Sequence, residues 1–474
     1  MEGEANPWAN LRIYEAYAAM GEPRLERAMN ILVIAIDTLR ADHLSCYGHY
    51  RFTSPHLDEF AAGGVLFEEC IAPHIPTHPG YTTLFTGVDA FTHQIVTQGG
   101  KLELSEKIPM LAEILQKRGY FTASACNMGR WFNRGYDVRE SYRWSTDVRE
   151  PWRKAEAVNE AAFRALDACA AQEKPWFCFC HYWDPHTPYL PPPPFDRMFY
   201  HGDPTDEKHT SALEMMTNYP AFQYYFEEWM PGTRDVEFPK AQYDAAIAYC
   251  DACLAKFFDR LREMPGYEET LVVVTADHGE ELDEHQMWFD HHGLYDTNLH
   301  VPLIISCPER VPEGLRLGGL VRHLDVAPTI LEFADLEDAA EEARMEGTSL
   351  VPLIEARNSA GTCDEVYITE NAWMKKRGFR TKKYKFIESL YDELHHRPPY
   401  ELYDLTTDPG EQNNLAAARP DLLKAFKQRL DAYIERRVAQ TGNPDPQSYQ
   451  DITLRSVGKN VKVAVPENQV LQKE

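Results

Sequence analysis

Two short strand-like runs, Ile31-Leu32-Val33-Ile34-Ala35-Ile36 and Leu271-Val272-Val273-Val274-Thr275-Ala276, each stop abruptly at an aspartate. Both are too short for a helix of a globular core, and neither shows the polar alternation of a strand with one wet face. Such runs suit strands covered on both faces, as in a parallel sheet layered with helices. The residues at their ends are equally informative: Asp37-Thr38 after the first and Asp277-His278-Gly279 after the second. In open α/β sheets ligands gather at the carboxyl ends of the strands, so both pairs mark a candidate site.

The rest of the chain supplies the covering layers. Helical patterns occupy 8–29, 110–118, 154–172, 241–261 and 418–436, and strand patterns 121–126, 176–180, 366–369, 384–388 and 402–403. This alternation predicts an α/β fold: a largely parallel central sheet sandwiched by helices, with a smaller C-terminal α+β subdomain. The expected divisions are an N-terminal helical extension at 1–29, a catalytic α/β domain at 30–355, the C-terminal subdomain at 356–440 and a tail at 441–474. Residues 187–240 hold a proline run and many aromatics without periodicity, and read as an excursion over the active face.

Composition narrows the function. With 474 residues, 44% hydrophobic, the chain can bury a sizeable core, which excludes wholesale disorder. A formal charge of −26 opposes a polyanion-binding surface, so macromolecular nucleic acid is not an expected partner. No stretch approaches 18 consecutive apolar residues, and the start lacks the basic and apolar regions of a signal peptide, so no membrane association is expected. Ten scattered cysteines read as reduced core thiols, with the cytoplasm as the default location.

Chemistry concentrates in five separated groups: Asp37, the loop 74–80, the segment 181–186, Asp277-His278, and the stretch Glu284-His285 to Asp290-His291-His292. An Asp or His at one strand end is ordinarily a cap or a packed residue. Five such groups in one α/β chain make a metal-site case, because carboxylate with imidazole suits zinc, manganese or iron.

The pieces ILVIAIDTLRADHLSCYG at 31–48, THPGYTTLFTG at 77–87, TADHGEELDEHQMWF at 275–289, YDTNLHVPLII at 295–305 and ELYDLTTDPGEQNNLA at 401–416 resemble the alkaline phosphatase superfamily, in its sulfatase-like branch. The resemblance implies a first metal site of Asp37, Asp277 and His278, with Thr77 as a further ligand and as the nucleophile. Sulfatases carry a cysteine, oxidised to formylglycine, where Thr77 stands, and an arginine where Tyr81 stands. Without that cysteine no formylglycine forms. Threonine needs activation, since free alkoxide is negligible near neutrality, and metal coordination supplies it. The structural alternative is that Thr77 merely caps a helix over 80–86. Thr38 replaces the second aspartate of calcium-type sulfatases, which favours Zn²⁺ or Mn²⁺ over a hard calcium site.

The resemblance also implies what handles the leaving group. Two-metal relatives use one aspartate and two histidines, a set that Asp184, His186 and His292 would supply here. One-metal relatives use lysine and histidine to protonate the leaving oxygen. No lysine occurs at 290–292, and His291 and His292 are equally defensible by frame. Imidazoles in place of that cation favour a second metal, with His186 alternatively a general acid without metal. The expected activity is metal-dependent hydrolysis of phosphate diesters or phosphonate monoesters through a phosphothreonine intermediate. The alternatives are a sulfatase using Thr77 directly and a phosphomonoesterase. The expected partner is a small phosphoryl or sulfuryl ester, and a homo-oligomer is left open. The basic run Lys375 to Lys385 reads as a solvated face, with some members as candidates for the pocket rim.

Overall fold

The protein is represented by a computed structural model that describes residues 29–143, 154–213, 227–393, 395–453, 456–457 and 461–462. Most of the expected helix at 8–29 lies outside the described residues. In chain order the strands of the two main sheets are β1 (Asn30–Ile36), β2 (Val65–Ile71), β3 (His74–Ile75), β4 (Phe121–Ala125), β5 (Val138–Glu140), β6 (Trp176–Tyr182), β7 (Thr270–Thr275), β8 (His300–Ser306), β9 (Leu315–Arg322), β10 (Glu365–Glu370), β11 (Lys376–Thr381), β12 (Tyr384–Ser389) and β13 (Tyr400–Asp404).

The two apolar runs are β1 and β7, and they lie side by side in an eight-stranded sheet of order β5-β4-β6-β1-β7-β8-β2-β9. From β5 to β7 every pair is parallel. Strand β8 runs antiparallel to both its neighbours, and β2 pairs with β9 in parallel. The sheet is thus largely parallel with one strand reversed. Strands β6 and β7 are buried along their whole length, as uninterrupted apolar sequence requires. The helix Ala155–Ala170 packs on β4 and β6, and it turns Ala155, Val158, Ala161, Ala162, Ala165, Leu166 and Cys169 inwards.

A second sheet, of order β13-β12-β11-β10-β3, carries the C-terminal part. Its strands pair as antiparallel hairpins except at one edge, where β10 accepts β3 in parallel. That edge matters for the site, because β3 leads straight into the helix Thr77–Thr86. The helix begins at Thr77 rather than at 80, and no side chain caps it, so the capping reading of Thr77 is replaced by a first-turn position.

The helix Pro420–Thr441 runs five residues past the expected end and stops at Gly442, whose φ of 70° suits glycine at a helix C-terminus. The described residues just beyond it are held against the body: Asn443 donates to the Phe91 carbonyl and Gln450 to that of Gln94. All ten cysteines are free thiols. Among the described residues no helix is long and apolar enough to cross a membrane.

Candidate active site

The register of β1 against β7 sets Ala35 opposite Thr275, so Asp37 and Asp277 leave the sheet as neighbours. Both are fully buried. Asp277 Oδ1 accepts from the backbone N–H groups of Thr38 (3.3 Å) and His278 (3.0 Å). Thr38 holds a left-handed φ of 57°, a costly conformation for a β-branched residue and one that tends to occur at functional sites.

His278 closes the group. Its Nδ1 donates to the Gly279 carbonyl at 2.8 Å, which fixes the tautomer and turns the Nε2 lone pair inwards. Nε2 then lies 3.3 Å from Asp277 Oδ2, 3.9 Å from Asp37 Oδ1 and 3.3 Å from Thr77 Oγ1. The ligand atoms of Asp37, Asp277 and His278 all fall within 4.8 Å of one another. Asp37 Oδ1 and Asp277 Oδ2 are buried without a hydrogen-bond partner. Buried carboxylate oxygens without donors are costly, and a divalent cation among two such oxygens and an inward imidazole satisfies all three. The residues present therefore fit the metal.

The electrostatics carry the same signature. Burial, then the adjacent Asp37 carboxylate, push Asp277 up to about 6. Asp37 goes the other way: burial opposes its charge, but the hydrogen bond from His181 and the nearby His186 and His278 imidazoles hold it well below the carboxylate range. Two carboxylates this close resist sharing the charged state, and a bound cation relieves that conflict.

The leaving-group candidates separate. His291 lies over the cluster, its ring 4.7 Å from that of His278 and 5.1 Å from that of His186. Its Nδ1 is 3.3 Å from both Glu280 Oε2 and Asp290 Oδ1. Burial lowers its affinity for a proton, yet Asp290 and Glu280 more than compensate and raise it to about 10. His186 donates from Nδ1 to the Thr187 carbonyl at 2.6 Å.

The other two expected members are engaged elsewhere. Asp184 Oδ2 accepts from the Ala155 N–H at 2.8 Å, at the start of the helix Ala155–Ala170. His292 Nε2 meets His395 Nε2 at 2.8 Å, their rings stacked. Among the described residues, Asp184, His186 and His292 do not assemble a second metal cluster. Among the described residues the other group of compatible ligands is His43, His49 and Asp244, where the Arg51 guanidinium, 2.6 Å from Asp244, already balances the carboxylate.

The family pattern described as Sulfatase matches residues 29–336, about two thirds of the chain. The chain belongs to the sulfatase family. It is accordingly a metal-dependent hydrolase of the alkaline phosphatase superfamily. A second pattern, N-sulphoglucosamine sulphohydrolase, C-terminal, matches residues 283–436. Among curated relatives, choline-sulfatase of Rhizobium meliloti is 25% identical, covering 82% of each chain. The N-acetylglucosamine-6-O-sulfatase of Bacteroides thetaiotaomicron is 22% identical over 92% of this chain and 91% of its own. Among solved structures, the phosphonate monoester hydrolase of Agrobacterium radiobacter superposes with a TM-score of 0.68 at 20% identity, over 86% of this chain and 96% of that one.

For a member of the sulfatase family two positions stand out. Thr77, which the resemblance sets in the frame of the formylglycine cysteine, turns its hydroxyl towards His278. Tyr81, which the resemblance sets in the frame of the arginine, is wholly buried in a ring cluster with Phe85, Phe132, Phe179 and His181. It brings no charge to the site.

The basic run is a solvated face only at Lys382 and Lys383, which are exposed; four of its other cations turn to internal ion pairs. Lys376 pairs with Glu401 and Glu393, Arg377 with Glu388 and Asp445, Arg380 with Glu69 and Asp296, and Lys385 with Asp296 and Glu411. Most of those partners lie far away in sequence, which is why the charges looked destined for solvent.

Proposed function

We propose that this chain hydrolyses phosphate diesters or phosphonate monoesters through a covalent phosphothreonine on Thr77. The observation that carries the reading is the placement of the Thr77 hydroxyl, 3.3 Å from His278 Nε2 beside Asp37 and Asp277, with no cysteine in that frame to oxidise. Charge supports the choice of ester. A monoester dianion asks for more fixed positive charge than a diester monoanion, and here a buried tyrosine replaces the arginine while Lys376, Arg377, Arg380 and Lys385 of the basic run are spent on internal ion pairs.

Each residue has a distinct task. Asp37, Asp277 and His278 would hold a divalent cation, Zn²⁺ or Mn²⁺, which lowers the pKa of an adjacent hydroxyl and offsets charge on the transferring group. Thr77 opens its helix, so the positive end of the helix dipole lies near the phosphoryl oxygens, although the His78 N–H is already taken by Gln98 Oε1 at 2.9 Å and that of Gly80 by the Pro76 carbonyl at 2.9 Å. In the first half-reaction Thr77, its hydroxyl proton already lost to solvent, attacks as the alkoxide: its oxygen–phosphorus bond forms as the bond to the leaving oxygen breaks, and His186 or His291 gives that oxygen a proton. In the second, the same imidazole takes a proton from water as the water oxygen attacks phosphorus and Thr77 is released.

The test is a panel on protein stripped of metal and reloaded with Zn²⁺ or Mn²⁺. It compares kcat/KM for matched aryl phosphodiester, phosphonate monoester, phosphomonoester and sulfate, with Thr77→Ala as control. Diester or phosphonate turnover is expected to dominate, and to fall by about 10³-fold or more in the variant. Dominant sulfate turnover that depends on Thr77 would overturn the reading in favour of a sulfatase with an unmodified threonine, the activity named for the curated relatives.

A further inference from the structure

Behind the metal cluster lies a contact that the proposed mechanism does not use. His181, near the end of β6, points its Nε2 at Asp37 Oδ2 at 3.2 Å. A carboxylate oxygen only accepts, so Nε2 carries the hydrogen. Both side chains are wholly inaccessible to solvent, so no water competes for the bond. The other oxygen, Oδ1, has no donor and is the one nearer His278 Nε2, at 3.9 Å. The two oxygens of Asp37 are thus differentiated: one is tied to the sheet and the other is presented to the cluster.

The donor is rigid. β6 pairs with β1 in a register that sets His181 opposite Ala35, two residues before Asp37, and the Asp37 N–H donates to the Tyr182 carbonyl at 2.8 Å. Three rings confine the imidazole: Trp183 at 4.6 Å, Tyr81 edge-on at 5.2 Å and Phe179 at 6.2 Å between centroids. Tyr81 thereby acquires a use. At the position where sulfatases carry arginine, its ring forms one wall of the box that orients His181.

We propose that His181 is a positioning residue that holds Asp37 as a one-oxygen metal ligand, with Tyr81 locking the imidazole in place. Partners of this kind, one layer behind the ligands, set ligand orientation, and their loss typically costs 10- to 100-fold in metal affinity. The inference rests on Asp37 as a metal ligand but not on which ester is cleaved, so metal binding tests it separately from the substrate panel.

The experiment titrates Mn²⁺ into EDTA-treated protein and follows the free ion by its EPR signal, for wild type and for His181→Leu, His181→Gln and His181→Asn. The dissociation constant should rise by about 10- to 100-fold for Leu. Gln, whose amide nitrogen reaches about as far as Nε2, should recover most of the affinity, whereas Asn is too short and should not. Thermal unfolding of the metal-free proteins serves as the control for packing. Wild-type Mn²⁺ affinity in a folded Leu or Asn variant would overturn the proposal. So would equal weakening in Gln and Asn, which would assign His181 a packing role only. Should Leu not fold, the contrast between the two amides still decides.

Discussion

At the scale of single residues, Arg40 shows how the two strand-end loops are bound into one site. It lies three residues after Asp37, just beyond β1, and is almost fully buried. Nε and Nη2 grip Asp42 at 2.9 and 2.7 Å, while Nη1 reaches Glu284 at 2.6 Å and the Glu280 carbonyl at 3.1 Å, both on the loop after β7. Bidentate and charge-assisted bonds of this kind are the stronger ones. Burial works against a charged Glu284, but Arg40 outweighs it and holds Glu284 down at about 2 against an ordinary 4.5. A carboxylate depressed in the folded state contributes stability above its unfolded pKa and loses it as pH falls towards the folded value. The melting-temperature difference between wild type and Glu284→Gln should therefore be steady above about pH 5. It should shrink as pH falls from 4.5 towards 2. A difference that stays constant down to pH 3 would show that Arg40 does not set the Glu284 charge.

At the scale of elements, the helix Thr77–Thr86 is held against the strand end by a missing side chain. A Cβ on Gly80 would stand 2.9 Å from the Asp277 carbonyl oxygen and 3.4 Å from Asp277 Cβ. Propensity alone predicts that Gly80→Ala stabilises the helix by about 1 kcal/mol. Contact predicts the opposite: the first turn must move off Asp277, and Thr77 moves with it. We expect kcat/KM to fall by about 10²-fold, with a lower melting temperature, and an unchanged or faster variant would refute the close approach. The same elements show what sequence could and could not convey. β1 and β7 were legible because unbroken apolar runs have few other solutions, and with them Asp37, Asp277 and His278. β11, reading KRGFRT, was not, because the carboxylates that neutralise it come from β2, β13 and the turn before β8. His181 was seen only in part: it stood in the chemistry-bearing segment 181–186, but its partner Asp37 across the sheet was not legible. Neighbouring His291 and His292 share a frame, yet they face opposite ways, one towards His278 and the other towards His395. No sequence pattern separates them.

Over the whole molecule, a chain of formal charge −26 keeps four of its cations as internal ties of the smaller sheet. Two of these ties reach the larger one. Arg380 on β11 meets Glu69 on β2 at 2.7 Å and Asp296 at 3.1 Å, and Lys385 on β12 meets Asp296 at 2.6 Å and Glu411 at 2.7 Å. Asp296 opens the turn that feeds β8, so the cluster fastens the smaller sheet to the reversed strand of the larger one. The tie bears on the proposed nucleophile because β3, at the edge of that smaller sheet, leads into the helix that begins at Thr77. Lys385 is wholly buried, and burying charges gains little unless each is matched. Lys385→Met should leave Glu411 inside without its cation and cost about 3–5 kcal/mol. Removing both charges in Lys385→Met/Glu411→Gln should restore much of that loss, since Glu411 then leaves no unmatched carboxylate behind. Midpoints of urea unfolding at neutral pH compare the three proteins. A double variant no more stable than the single one would mean that Lys385 acts through packing of its stem rather than as the counter-charge that seats the smaller sheet.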